Sequence, residues 1–256
     1  MRRLRQLLLL PLLLLFAVLP AQAERLVSTV SRSEVAITSS FSGEVLTFFG
    51  NIEPEAGAAQ RFVEGPFHVI ITITGPLQDR VARRMTNNLG IWINTEQVLF
   101  ERFPSYYHVL SDTRLTEITD PVTLAELDIP LPAQADVSAG EQWWNAYAFG
   151  NELVRLMVKE GLFGLNEQGV VFRSETFYLA QIELPSDVVP GTFLARTYLF
   201  KHGELIAERA DRFSVRKIGF ERFLGLAAEQ QPLLYGLAAV LLALFTGWLG
   251  GVVFRR

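Results

Sequence analysis

From Leu233 to Phe254 the chain carries no charged side chain, and this run limits what the rest can be. At about 1.5 Å per helical residue it covers the ~30 Å of hydrocarbon in a bilayer. Tyr235 and Trp248 stand near its two ends, where amphipathic rings favour the lipid interface, and Arg255-Arg256 closes the chain. The expectation is a transmembrane helix over 232–254 with residues 255–256 as a cytoplasmic tail.

The opposite end has the order of a secretory signal. Arg2, Arg3 and Arg5 precede the apolar run Leu7 to Leu19, and Ala21-Gln22-Ala23 follows. Residues 1–23 are read as a signal peptide with cleavage after Ala23; an uncleaved signal anchor would put the following domain on the same side. Arg2-Arg3 lacks the surrounding consensus of the twin-arginine route. The expected topology is a single-pass inner-membrane protein with its bulk in the periplasm. Arg216, Lys217 and Arg222 on the outer flank oppose a clean positive-inside bias, but the leader commits the chain to export before the last helix emerges.

Within the span Ala239, Ala243, Gly247 and Gly251 recur every fourth residue. Such a small-residue face lets another helix approach closely in lipid, so it is a candidate helix–helix interface, for self-association or for a membrane partner. Before the span, Phe220, Phe223, Leu224 and Ala227 fall at i, i+3, i+4 and i+7. Residues 218–231 therefore read as a juxtamembrane amphipathic helix ending at Pro232, as a continuation of the span or as a packing helix of the domain.

Residues 24–217 are left to form the exported body. The chain has no cysteine, so packing alone must stabilise it, and thiol catalysis, Cys-ligated zinc and iron–sulfur clusters are excluded. A net charge of −4 and a pI near 5.5 leave no broad basic face for nucleic acid. Short β-like runs follow: Leu26 to Val30, Glu34 to Thr38, Val45 to Phe49, Phe67 to Thr74, Gly90 to Asn94 and Tyr106 to Leu110. Gly75-Pro76 breaks the fourth, and Asn51 to Gly65 reads as a loop. The pattern predicts an immunoglobulin-like antiparallel β-sandwich with inserted helices, mainly β but α+β in sum.

Asp120 before Pro121 predicts a short helix through Leu127, and Ser138-Ala139-Gly140-Glu141 matches a capping box for a longer one reaching Gly161. On that helix Trp143, Tyr147, Gly150, Val154 and Met157 make one apolar stripe. Strands return at Val170 to Arg173, Phe177 to Leu184, Thr192 to Phe200 and Leu205 to Val215, with His202-Gly203 as a two-residue hairpin turn. The body divides into 24–135 and 136–217 at a soft boundary, since the later strands cannot close a sandwich alone.

Nucleophile elbows, phosphate-cradling glycine loops and zinc motifs have definite spacings, and none occurs. His68, His108 and His202 lack the spacing of a local metal site, so neither a metal nor another cofactor is expected. One polar cluster stands out: Arg83 and Arg84 with Asn87, Asn88, Asn94, Tyr106 and Tyr107. If its hairpins are neighbours it could hold a small anion; the other reading is a charged strand edge that discourages aggregation.

The chain resembles a known family at Gly90-Ile91-Trp92-Ile93-Asn94, at Phe103-Pro104-Ser105-Tyr106-Tyr107 and at Leu184-Pro185 with Val189-Pro190-Gly191. Tyr198-Leu199-Phe200 with Gly203, and Glu229-Gln230-Gln231-Pro232-Leu233-Leu234-Tyr235-Gly236, extend the likeness over nearly the whole mature chain. That family is the alphaproteobacterial transmembrane protein family Alph_Pro_TM, whose function is undetermined. The resemblance implies no catalytic or binding residue, and suits an accessory role beside a polytopic membrane protein. Three expectations follow: a non-catalytic, membrane-anchored periplasmic module that binds or assembles another envelope protein, such as a transporter; a small-molecule or oxyanion receptor using Arg83-Arg84; and an unrecognised envelope enzyme.

Overall fold

The structure is a computed structural model that describes residues 24–38, 41–54, 63–135, 143–218 and 220–253. The signal peptide, the 138–141 capping box and the 255–256 tail lie outside the described residues.

The centre of the fold is β4 (Phe67–Thr74), at the place its alternation of apolar residues with Thr predicts. It pairs antiparallel with β11 (Gly191–Lys201) on one side and β7 (Tyr107–Ser111) on the other. With β12 (Glu204–Lys217), β2 (Glu34–Ile37) and β8 (Phe163–Asn166) these form a six-stranded sheet of order β2-β12-β11-β4-β7-β8. A second sheet has the order β1-β3-β10-β9, from Glu24–Val30, Glu44–Pro54, Phe177–Leu184 and Val170–Phe172. Pairing is antiparallel except at β2–β12 and β7–β8, which are parallel. The sheets share one core in a sandwich-like arrangement. Both sheets contain strands from 24–135 and from 136–217.

Facing aromatics join the layers. Phe193 of β11 stacks on its cross-strand partner Phe213 at 5.1 Å between ring centroids, and Phe213 meets Phe48 of β3 at 6.0 Å. The β11–β12 hairpin turns at His202 and Gly203, both with positive φ (52° and 88°), which fits a type I′ turn. On β3 the alternation Leu46, Phe48, Ile52 continues past the predicted end, with Ile52 buried. The stretch read as a loop from Asn51 therefore stays in the sheet as far as Pro54.

Helices cover the other face of the large sheet. Between β7 and β8 come α1 (Leu115–Ile118), α2 (Pro121–Glu126), a 3-10 turn at Leu131–Ala135 and α3 (Trp143–Lys159). Asp120 caps α2 as predicted, accepting from the Val122 and Thr123 N–H groups at 2.8 and 3.1 Å. The buried face of α3 is Ala146, Phe149, Val154 and Met157, with Gly150 against Ala135. Tyr147, placed on that stripe by its sequence position, is 68% exposed. One helical step separates it from the face that the sheet and 3-10 turn occupy.

After β12 the chain enters α4 (Phe220–Gln230) and α5 (Pro232–Val253). The Gln231 N–H donates to the Ala227 carbonyl and the Tyr235 N–H to the Gln231 carbonyl, both at 3.0 Å. These two bonds carry the hydrogen-bond ladder across the junction between α4 and α5. Among the described residues α5 is the helix long and apolar enough to cross a membrane, with a mean hydropathy of 1.9 in an 18-residue stretch of Pro232–Val252.

Gly50 shows how closely the small sheet is packed. A Cβ there would collide with the Tyr178 phenol and with the Val27 carbonyl. Gly50→Ala is expected to destabilise the fold by about 1–3 kcal/mol through overpacking, measured as a lowered midpoint in chemical unfolding of the purified chain.

Candidate functional site

One element lies outside both sheets. β5 (Leu77–Asn88) and β6 (Ile91–Pro104) form a separate two-stranded hairpin inserted between β4 and β7. Its root is fixed by aromatics: Phe103 stacks on Phe163 at 5.4 Å and meets Phe100 edge-on at 6.2 Å. Above the root the stem runs along α3, and between them lies a groove of about 330 Å³. Val81, Arg84, Phe149, Glu152, Leu153 and Leu156 contribute to its walls. Val81 and Leu156 stay about half exposed, so the groove has apolar surface open to solvent. The guanidinium of Arg84 sits 5.0 Å from the Phe149 ring centroid and 3.2 Å from Glu96, its cross-strand partner. With the guanidinium half exposed to solvent, its contact with the buried Phe149 ring contributes about 0.5–1 kcal/mol, so Arg84 helps hold stem to helix.

A register shift follows at Arg84/Met85. Such a bulge adds local twist, and it marks where the stem leaves α3. Beyond it the pairs Met85–Asn94, Thr86–Ile93, Asn87–Trp92 and Asn88–Ile91 lead to a turn at Leu89-Gly90. The Asn87 side chain accepts from the Gly90 N–H at 2.8 Å.

The candidate anion residues are divided between two places. Arg83, Arg84 and Asn94 lie on the hairpin, while Tyr106 and Tyr107 are buried in the core. The Tyr106 hydroxyl donates to the Glu183 carbonyl at 3.2 Å; that of Tyr107 reaches the Asp128 and Ile129 carbonyls at 3.1 and 3.0 Å. Burial pushes both phenols well above their ordinary range, so they remain neutral donors to backbone. On α5 the stripe Ala239, Ala243, Gly247 and Gly251 is exposed throughout.

The histidines are also apart. His68 Nδ1 lies 2.8 Å from Asp112, whose other oxygen accepts from the Val69 N–H. His108 stacks on Tyr106 at 4.6 Å, fills the space over Gly164 and places Nε2 3.2 Å from the Gly161 carbonyl. His202 is in the β11–β12 turn. Among the described residues no three His, Cys, Asp or Glu side chains gather as a metal would require.

A mostly β, sandwich-like body followed, among the described residues, by one apolar helix of spanning length defines a class of β-rich proteins with a candidate membrane helix. A family model described as "Putative transmembrane protein (Alph_Pro_TM)" matches residues 25–256, and the chain belongs to that family. Comparison with curated proteins finds no match.

His108 yields a pH dependence. Burial lowers its pKa from the ordinary 6.5, so the unfolded chain binds the proton more readily than the folded one. Its contribution to stability is complete above about pH 6.5 and is lost progressively as pH falls below that value. His108→Gln is expected to flatten the acid side of the curve of melting temperature against pH, relative to the parent chain, between pH 6.5 and 5.

Proposed function

We propose that this protein is a membrane-anchored periplasmic module that binds another envelope protein through the groove between the β5–β6 stem and α3. The observation that carries this reading is the groove itself. A long hairpin is built out from the sandwich, fixed to α3 by Phe149 and Arg84, and leaves Val81 and Leu156 partly bare. Soluble surfaces seldom keep contiguous apolar area without a use, and the Arg84–Glu96 pair supplies the polar rim typical of protein interfaces. The body is then read as an immunoglobulin-type sandwich used as a scaffold: the order β9-β10-β3-β1 follows that of strands D-E-B-A and β12-β11-β4-β7 that of G-F-C-C′, while β8, parallel to β7, departs from the antiparallel pattern. In this reading the leader sets the body outside the cytoplasm, the partner is a membrane protein such as a transporter, and the protein has no catalytic role of its own.

The test is site-specific crosslinking in intact cells, with a photoreactive phenylalanine analogue replacing Leu156 and, as control, the exposed Glu126. A discrete heterologous adduct is expected at 156 and absent at 126, and Val81→Glu should remove it. Equal labelling at both positions, or none at 156, would overturn the reading.

A further inference from the structure

The tip of the hairpin, beyond the groove, has its own chemistry. Residues 85–95 carry no charge, whereas Arg83 and Arg84 precede them and Glu96 follows. Because successive cross-strand pairs face opposite ways, Met85 and Trp92 lie on one face of the tip, and Ile91 and Ile93 on the other. All four are exposed, Trp92 by 62%, and Leu89 is bare at the apex. A ribbon that docks on a protein or joins a sheet usually needs one apolar face. Apolar residues on both faces, crowned by an exposed leucine, suit a medium that surrounds the tip.

Leu89 also acts against its own turn. It adopts φ 52° and Gly90 φ 85°, the type I′ geometry that favours Asn-Gly. Leucine in the left-handed region costs about 1–2 kcal/mol, and its side chain recovers nothing within the fold.

Position supplies the occupant. β4 and β12 are both antiparallel to β11 and so run the same way. The hairpin leaves the end of β4, and the route to α5 leaves the end of β12. Both exits are at one end of the sandwich, where Pro76 packs against Gly191. Lys217 is separated from Pro232 by little more than α4, which spans about 16 Å. The twelve-residue β5 reaches about 40 Å.

We infer that the hairpin tip, Met85 to Asn94, inserts into the interfacial layer of the same bilayer that α5 crosses. Trp92 sits at headgroup depth, where tryptophan is favoured; Leu89, Ile91 and Ile93 enter the upper acyl region, and Arg83 stops at the phosphates. The inference rests on α5 being a bilayer span, and it is independent of the groove's partner.

The absence of cysteine permits a direct test with the full chain in phosphatidylethanolamine–phosphatidylglycerol nanodiscs. Leu89→Cys, Leu242→Cys and Glu204→Cys would each be labelled with an environment-sensitive nitrobenzoxadiazole dye, with and without lipids spin-labelled high on the acyl chain. The 89 label is expected to emit to the blue and lose intensity to the spin-labelled lipid, and the 204 label to do neither. Trp92→Asn in the Leu89→Cys background should return the 89 emission toward that of water. Water-like emission at 89, or blue emission that the lipid cannot quench, would overturn the inference; the second outcome would mean that protein covers the tip. Lipid protection of the 242 label reports the span separately, so its failure is distinguishable from failure at the tip. Leu89→Asn suits the turn better and is expected to raise the melting temperature; a fall would remove the argument from turn strain.

Discussion

The structure depends on burying β4 from both sides. Val69, Ile70, Ile71 and Ile73 are wholly buried and Thr72 nearly so, which requires apolar cover on each face of the large sheet. Register assigns the faces. Val69, Ile71 and Ile73 share a side with Phe193 and Leu199 and look toward the second sheet, while Ile70 and Thr72 look toward the helices with Tyr107 and Tyr198. Each such side chain contributes about 1.5–3 kcal/mol relative to exposure. In a chain without disulfides this double cover is what allows a body of mostly short strands to be stable.

The helical cover is fixed by a few polar contacts as well as by packing. Tyr107 projects from β7 and donates to the carbonyls just after α2, and the Thr119 hydroxyl donates to the Gly203 carbonyl in the β11–β12 turn at 2.7 Å. Both bonds satisfy carbonyls at places where the backbone ladder ends. They tie the segment from α1 to the 3-10 turn to opposite ends of the same sheet. This explains why the tyrosines are unavailable to a ligand, although Tyr106-Tyr107 in the sequence looks like a pair of exposed donors.

Much of the fold was legible because burial writes periods into sequence. β4 and β10 are where alternation put them, Asp120 caps its helix, and His202-Gly203 makes its turn. The hairpin was half hidden for the opposite reason. β5 is largely exposed and carries Asp79, Arg80, Arg83 and Arg84, so it has little apolar alternation to read. It is a strand because β6 pairs with it along its length. β8 is short and depends on parallel pairing with β7, a long-range contact that leaves little local mark. At the candidate site, the arginines and Asn94 were recognisable as a polar group. Their separation from the tyrosines was not, because it depends on Ser105 turning the chain from the hairpin root into the core.

The direction of the strands has a functional consequence that local pattern does not show. In an antiparallel sandwich every hairpin reverses the chain, so an insertion opens at whichever end its strand has reached. The β4–β7 connection opens at the same end as the last strand, and the His202-Gly203 turn is at the opposite end. A long insertion in the β11–β12 turn would open at the end of the sandwich opposite the exit to α5. The same length placed after β4 starts beside it, so the hairpin's exposed apolar residues begin within reach of the membrane that the family membership and α5 point to.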